Sequence, residues 1–190
     1  MDTKPRLIIG ISGASGIIYG IRLLEKLQSM PIEAHLIVSK AGQQTRRYET
    51  DLTAKALNAL ADCVHTNEDI GANISSGSYK TLGMIIAPCS MRTLAEIAHG
   101  TTTTLLTRAA DVMLKERRKL ALMVRESPLH LGHLNNMATA TQLGAIIAPP
   151  MPAFYNQPQS IDDIVDHSVG RVLDLFDLDP QWVKRWKSQR

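Results

Sequence analysis

Arg6-Leu-Ile-Ile-Gly-Ile-Ser-Gly-Ala-Ser-Gly-Ile-Ile-Tyr-Gly-Ile-Arg-Leu-Leu-Glu-Lys-Leu27 is the stretch whose reading decides the fold. Leu7 to Ile11 is a short apolar run, the pattern of a parallel strand buried on both faces. Gly10, Gly13 and Gly16 punctuate the turn, and from Ile17 to Leu27 apolar residues recur at helical spacing. A strand feeding a helix through such a turn leaves backbone N–H groups free at the positive end of the helix dipole. That is an anion site, most often used for phosphate. The spacing is G-x-x-G-x-x-G, not the dinucleotide G-x-G-x-x-G, and no G-x-x-x-x-G-K-[ST] loop is present. The next strand runs into Ser39-Lys40, where a dinucleotide binder places an acid for the ribose. The motif therefore reads as a mononucleotide-type phosphate site. The competing reading is a tight strand–helix turn with no ligand.

Outward from that stretch, strands and helices alternate. Strands are predicted over Glu33–Val38, Leu82–Ala87, Leu120–Val124 and Ala145–Ala148. Helices are predicted over Ala41–Glu49 with Ser39 as cap, Thr53–Leu60, Met91–His99, Leu105–Arg118 and Leu131–Leu143. A last helix opens at Ser160, with Asp163 three residues on as in a capping box. The expected fold is α/β, a Rossmann-like (flavodoxin-like) open parallel sheet with helices on both faces. Residues 1–190 read as a single domain with a C-terminal helical tail from about residue 160. The Gly- and Ser-rich stretch Asn67 to Lys80 reads as a long loop, functional or mobile.

Composition narrows the function. The net charge of the 190 residues is +3 and aromatic content only 4%, which excludes stacking platforms and a basic footprint for nucleic acid. Small phosphates and carboxylates suit such a chain better. Cys63 and Cys89 form no disulfide framework, no apolar run approaches membrane-spanning length, and no signal peptide is read at the N-terminus. A cytoplasmic protein that binds neither nucleic acid nor membrane is expected.

In open α/β sheets, ligands bind beyond the carboxyl ends of the strands. Those ends carry Ser12, Ser39, Ser90 and Arg125-Glu126. Arg125 suits a phosphate and Glu126 could move protons; the alternative is a surface ion pair. In the last helix, Arg171 follows Ile164 by seven residues and so falls on nearly the same face as the apolar stripe. There it needs either an anionic ligand or a partner carboxylate. His130 and His133 lack a third ligand and read as capping or packing residues, Cys89 reads as a small buried residue, and no metal is expected.

Longer strings make the residues specific. Ser12-Gly-Ala-Ser-Gly with Tyr19-Gly and Arg22-Leu-Leu, Pro88-Cys-Ser-Met-Arg-Thr-Leu and Arg108-Ala-Ala-Asp-Val resemble the UbiX flavin prenyltransferases. So do Leu114-Lys-Glu-Arg-Arg, Leu122-Met-Val-Arg-Glu-Ser-Pro, Pro149-x-x-Pro-x-Phe-Tyr and Gln157-Pro-Gln-Ser. Matches run from Leu7 to about Trp186. Ser12 stands where the family commonly has threonine.

The resemblance implies transfer of a dimethylallyl group from dimethylallyl phosphate to reduced FMN. The product is a prenylated FMN that serves a UbiD-type decarboxylase. By matching positions, Gly13, Ala14, Ser15, Ser39, Ser90, Met91, Arg92, Thr93 and Arg125 contact FMN. Glu49, Arg108, Lys115, Tyr155 and Arg171 surround the prenyl phosphate, and Trp186 faces the prenyl group. Ser15, Glu49 and Glu126 are the expected catalytic residues, Ser15 and Glu126 relaying a proton at the flavin. A homo-oligomer, a dodecamer as in much of the family, is implied, with Glu49 and Arg171 acting across an interface. Two alternatives are an FMN carrier and an FMN-dependent cysteine decarboxylase. The latter carries a P-x-M-N-x-x-M-W stretch, where this chain has Pro149-Pro-Met-Pro-Ala-Phe-Tyr.

Overall fold

A computed structural model of the chain describes residues 4–178 and 180–183. Its strands are β1 (Arg6–Ile11), β2 (Glu33–Val38), β3 (Cys63–His65), β4 (Gly83–Cys89), β5 (Lys119–Val124) and β6 (Ile146–Ile147). Its helices are α1 (Ile17–Leu27), α2 (Lys40–Glu49), α3 (Ala54–Asn58), α4 (Met91–Ala98), α5 (Leu105–Lys115), α6 (Leu131–Leu143) and α7 (Ile161–Asp174). All strand pairs are parallel, in the order β3-β2-β1-β4-β5-β6. The chain winds outward from β1 in one direction and from β4 in the other, so the two central strands flank the switch point.

Because strand side chains alternate, β1 feeds two cores. Leu7, Ile9 and Ile11 pack with Ile17, Ile21 and Leu24 of α1 and with Val165, Val169 and Leu173 of α7. Ile8 joins Met84 and Ile86 of β4 with Leu94 of α4 and Leu106, Ala109 and Met113 of α5 on the other face. An ion network ties α7 to α1. Arg22 pairs with Asp162 (2.7 Å) and Asp166, and Lys26 with Asp166 (2.8 Å) while lying 4.8 Å over the Trp182 ring. The segment ending at Val183 sits on α7 at Gly170, where an added Cβ would stand 1.9 Å from Val183 Cγ2.

Three expectations are corrected. The edge strand β3 was not predicted, being three residues without a readable alternation. The α5 helix stops at Lys115 rather than Arg118, because Arg117 turns to a positive φ of 56° and Arg118 leaves the helix. Asn67–Lys80, expected as a long loop, functional or mobile, is a pinned segment. It contains the 3-10 turn Asn73–Ser75 and the buried Ile74, and Arg118 donates to the carbonyls of Tyr79 (2.7 Å) and Gly77 (2.6 Å).

At the switch point, the buried Ser12 hydroxyl donates to the Pro88 carbonyl (2.8 Å) and accepts from the Ser90 N–H (2.8 Å). Ser12→Ala would leave the Ser90 N–H without its partner and the Pro88 carbonyl with only the Ser12 N–H (3.2 Å), at a cost of about 1–3 kcal/mol. Urea unfolding should show that loss, and Ser12→Thr, which keeps the hydroxyl, should restore most of it.

Candidate functional site

Three helices begin at the carboxyl edge of the central strands. Ser39 caps α2, its hydroxyl accepting from the Gly42 N–H (3.0 Å). Ser90 caps α4, accepting from the Thr93 N–H (3.3 Å) and donating to the Thr93 hydroxyl (3.1 Å). Between them the β1–α1 turn comes so close to α2 that a Cβ at Gly13 would lie 2.3 Å from the Ala41 Cβ. Glycine at that position is therefore a packing requirement as well as an opening for a ligand.

The resulting crevice encloses about 220 Å³ and is lined by Gly13, Ser39, Ser90, Arg92 and Thr93, among others. Five residues expected at the flavin thus share one cavity. Ala14 and Ser15 belong to the same turn, and Met91 opens α4. Arg125 and Glu126 follow β5, the strand beside β4, and both are exposed. The Arg125 N–H donates to the Cys89 carbonyl (3.1 Å), and Glu126 accepts from the Ser127 N–H (3.0 Å). Burial pushes the Tyr19 phenol up, against the opposing pull of the Arg125 charge.

The expected free anion site on α1 is corrected. Gly16, with φ at 99°, and Ile17 both donate to the Glu49 carboxylate (2.9 and 3.1 Å). Glu49 arrives from the end of α2 and meets the positive end of the α1 dipole, so the chain supplies its own anion there. The first turns of α2 and α4 remain turned toward the crevice.

The residues expected around the prenyl phosphate divide into groups. Tyr155 lies 3.2 Å from His167 Nε2 in a hydrogen bond, and Arg171 lies one turn farther along α7, paired with Asp174 (2.5 Å). The expectation of Arg171 within a buried stripe is corrected, since its side chain is exposed. Ile164 lies at the margin of the buried face, so a residue in phase with it points outward. Arg108, in the first turns of α5, pairs with Asp111 (2.8 Å). Lys115 ends the same helix, ten residues and about 15 Å from its start, beside Glu116 and Gly77. The structure does not bring Lys115 to the crevice of its own chain. Trp186 lies outside the described residues.

Sequence reasoning missed several residues. Asn67 and Glu68 line the crevice with Lys40, Glu96 and Thr104. Asn67 is buried and holds the start of α5, its side chain accepting from the Leu106 N–H (3.1 Å) and its carbonyl from the Leu105 N–H (2.8 Å). His167 was missed because its partner Tyr155 is twelve residues away and meets it only through the turn of the chain. His130 caps α6 and stacks on His133, as expected of a packing pair. Cys89 is fully buried, and burial holds its thiol far above the range where it ionises.

Comparison with known proteins gives these residues a context. The Flavoprotein family matches residues 1–173. The flavin prenyltransferase UbiX of Escherichia coli strain K12 is 59% identical over 172 residues, 90% of this chain and 91% of that protein. The structure of AnUbiX in complex with FMN and dimethylallyl pyrophosphate superposes with a TM-score of 0.96 at 48% identity, covering 98% of this chain and all of that one. A dodecameric FMN-dependent UbiX-like decarboxylase from Escherichia coli O157:H7 gives 0.94 at 49% identity, covering 96% and 100%.

Two outcomes test the local geometry. Glu49→Ala, which uncaps α1, should lower stability by about 1 kcal/mol in urea unfolding, and Glu49→Gln by less. Burial, then the Arg171 charge, holds the His167 imidazole below its ordinary range. A base depressed on folding stabilises the fold above its unfolded value of about 6.5, and that contribution is lost as pH falls. Between pH 7 and pH 5 the urea midpoint should therefore fall more steeply for the wild type than for His167→Gln.

Proposed function

The chain belongs to the Flavoprotein family and, within it, to the UbiX flavin prenyltransferases, and from that premise we propose how its residues divide the reaction. It transfers a dimethylallyl group from dimethylallyl phosphate to reduced FMN. The observation that carries this reading is the crevice at the β1–β4 switch point, where Gly13, Ser39, Ser90, Arg92 and Thr93 line one cavity. Two helix N-termini and the serines that cap them suit the flavin phosphate and the polar rim of its ring. Reduced FMN, when bound, supplies the nucleophile, with new bonds at its central nitrogen and at the adjacent benzenoid carbon.

The chain's own residues then have three tasks. Gly13, Ala14, Ser15, Ser39, Ser90, Met91, Arg92, Thr93 and Arg125 hold the flavin. Arg108, Lys115, Tyr155 and Arg171 bind the phosphate of dimethylallyl phosphate, whose charge grows as the allylic C–O bond ionises. Cations and a hydroxyl fixed around that anion lower the barrier most when water is excluded. Ser15, in the turn after β1, and Glu126, just after β5, hold and move a proton at the flavin nitrogen. Glu49 fixes the β1–α1 turn against the phosphate side, and Trp186 packs on the prenyl group.

This division needs more than one copy of the chain. Lys115 lies away from the crevice of its own protomer, so it serves the crevice of a neighbour. The helix α6 supports assembly, because Ala140 is its one buried residue and Leu131 and Leu134 are exposed. Met151 and Phe154 are further exposed apolar residues. We assign a homododecamer, on the likeness to the dodecameric Escherichia coli structure. The chain acts as one flavoprotein domain with a helical tail from about residue 160. It works in the cytoplasm and passes its product to a UbiD-type decarboxylase; no described helix is long and apolar enough to cross a membrane.

Anaerobic incubation with reduced FMN and dimethylallyl phosphate should yield a flavin heavier by one isoprene unit in mass spectrometry. Unmodified FMN from folded, flavin-loaded protein would leave a carrier as the reading. Lys115→Ala and Arg125→Ala should each lower turnover at least tenfold. If Lys115 acts across subunits, assemblies of the two variants mixed and refolded together should regain part of the lost activity, because some crevices then hold both native residues.

A further inference from the structure

We propose that Glu33, His35 and Cys63 form a zinc site at the outer edge of the sheet, apart from the flavin crevice. Strands β2 and β3 pair with His35 opposite Cys63 and Ile37 opposite His65. Alternate strand residues share a face, so Glu33, His35, Cys63 and His65 all project to the same side. His35 sits four residues before Ser39, about 13 Å from the carboxyl edge.

The donor atoms of Glu33, His35 and Cys63 all lie within 4.8 Å of one another. Glu33 Oε1 is 2.9 Å from His35 Nε2 and 3.8 Å from Cys63 Sγ. Zinc bonds of about 2.0–2.3 Å in a tetrahedron set neighbouring ligand atoms about 3.3–3.8 Å apart. Small rotamer changes close that gap. A carboxylate, an imidazole and a thiol suit zinc, whereas calcium and magnesium prefer oxygen ligands throughout. The fourth position falls to water, with the Tyr79 hydroxyl 3.4 Å from His35 Nε2 as its neighbour.

The second ring nitrogen of His35 is already provided for. His35 is fully buried, and its Nδ1 lies 2.9 Å from His65 Nε2. Without metal, His35 Nε2–H donates to the carboxylate, which only accepts, and Nδ1 accepts from His65. With metal, His35 carries its proton on Nδ1 and donates it to His65 Nε2, while His65 moves its own proton to Nδ1. The Cys63 thiol loses its proton to solvent, so one proton leaves as one zinc ion binds. That His–His contact is the outer hydrogen bond that orients a metal-bound imidazole. Arg6 is an imperfect counter-charge to Glu33 in the metal-free cluster. Its Nε stands 3.4 Å from Oε1, is buried and makes no hydrogen bond among the described residues, and its guanidinium lies over Tyr79. Zinc here would clamp the three-residue edge strand β3 to β2, a structural role outside the prenyl transfer.

Cobalt(II) titration of chelator-treated protein tests the site, with the intact chain in its native assembly. One equivalent should raise a sulfur-to-cobalt charge-transfer band and the visible bands of a tetrahedral ion. Both should vanish in Cys63→Ser and persist in Cys89→Ala. His65→Gln should weaken zinc binding by about ten- to hundredfold while keeping the cobalt spectrum. If Cys63→Ser does not fold, zinc protection of Cys63 from alkylation in the wild type replaces it, the buried Cys89 staying silent. A missing cobalt band, a band retained in Cys63→Ser, or an alkylation rate unmoved by zinc would overturn the proposal.

Discussion

The carboxyl edge of this sheet depends on how closely β1, β4 and the helices after them can be drawn together. The Ser12 hydroxyl, just past β1, ties that strand to the end of β4, donating to the Pro88 carbonyl and accepting from the Ser90 N–H. Helices crowd the same place from both sides. A Cβ at Gly20 would stand 2.4 Å from the Ala87 carbonyl oxygen, and one at Gly13 would collide with Ala41. The glycines and the serine are one device. Without side chains at Gly13 and Gly20 the layers meet, and with the Ser12 hydroxyl the polar groups trapped at the meeting are satisfied.

From that close approach follows the electrostatic character of the crevice. Helices α1, α2 and α4 begin at this edge of the sheet, yet their positive ends are not equivalent. Glu49 neutralises the start of α1 by accepting from two of its N–H groups. Ser39 and Ser90 are neutral caps, so α2 and α4 keep their full partial charge toward the crevice. An anion from outside is therefore drawn to α2 and α4. The β1–α1 turn, held by an internal carboxylate, serves as a rigid wall.

The fold was legible wherever burial imposed a period. The α1 bounds emerged as read, β2 likewise, and the capping box on α7 is present with both its hydrogen bonds. Strand β3 was not legible because three edge residues make no pattern. The end of α5 was misjudged because basic residues suit a last turn, whereas Arg118 is recruited to two carbonyls of the preceding segment. Around the crevice, Ser39 and Ser90 were readable at strand ends, whose places short-range rules set, whereas Ala14, Ser15 and Met91 to Thr93 were singled out by the family resemblance. Asn67, His167 and the Glu33–His35–Cys63 cluster were not, since each depends on residues brought together from distant parts of the chain.

Helix α7 shows how far such long-range placement reaches into the chemistry. Its inner face is buried against β1 and α1, and Asp162 and Asp166 lock it to Arg22 and Lys26. The Arg22 side chain in this pair is only 16% exposed and that of Asp166 29%. The pair is thus screened less than a surface ion pair and resists rotation of α7 about its axis. His167 follows Asp166 directly, and Arg171 lies one turn beyond, so the same lock fixes the direction of both. Tyr155 reaches His167 from a separate segment and takes its position from that helix. A charge network on one side of α7 therefore sets the geometry of the phosphate-binding candidates on the other, and a change at Arg22 would act on them without touching substrate.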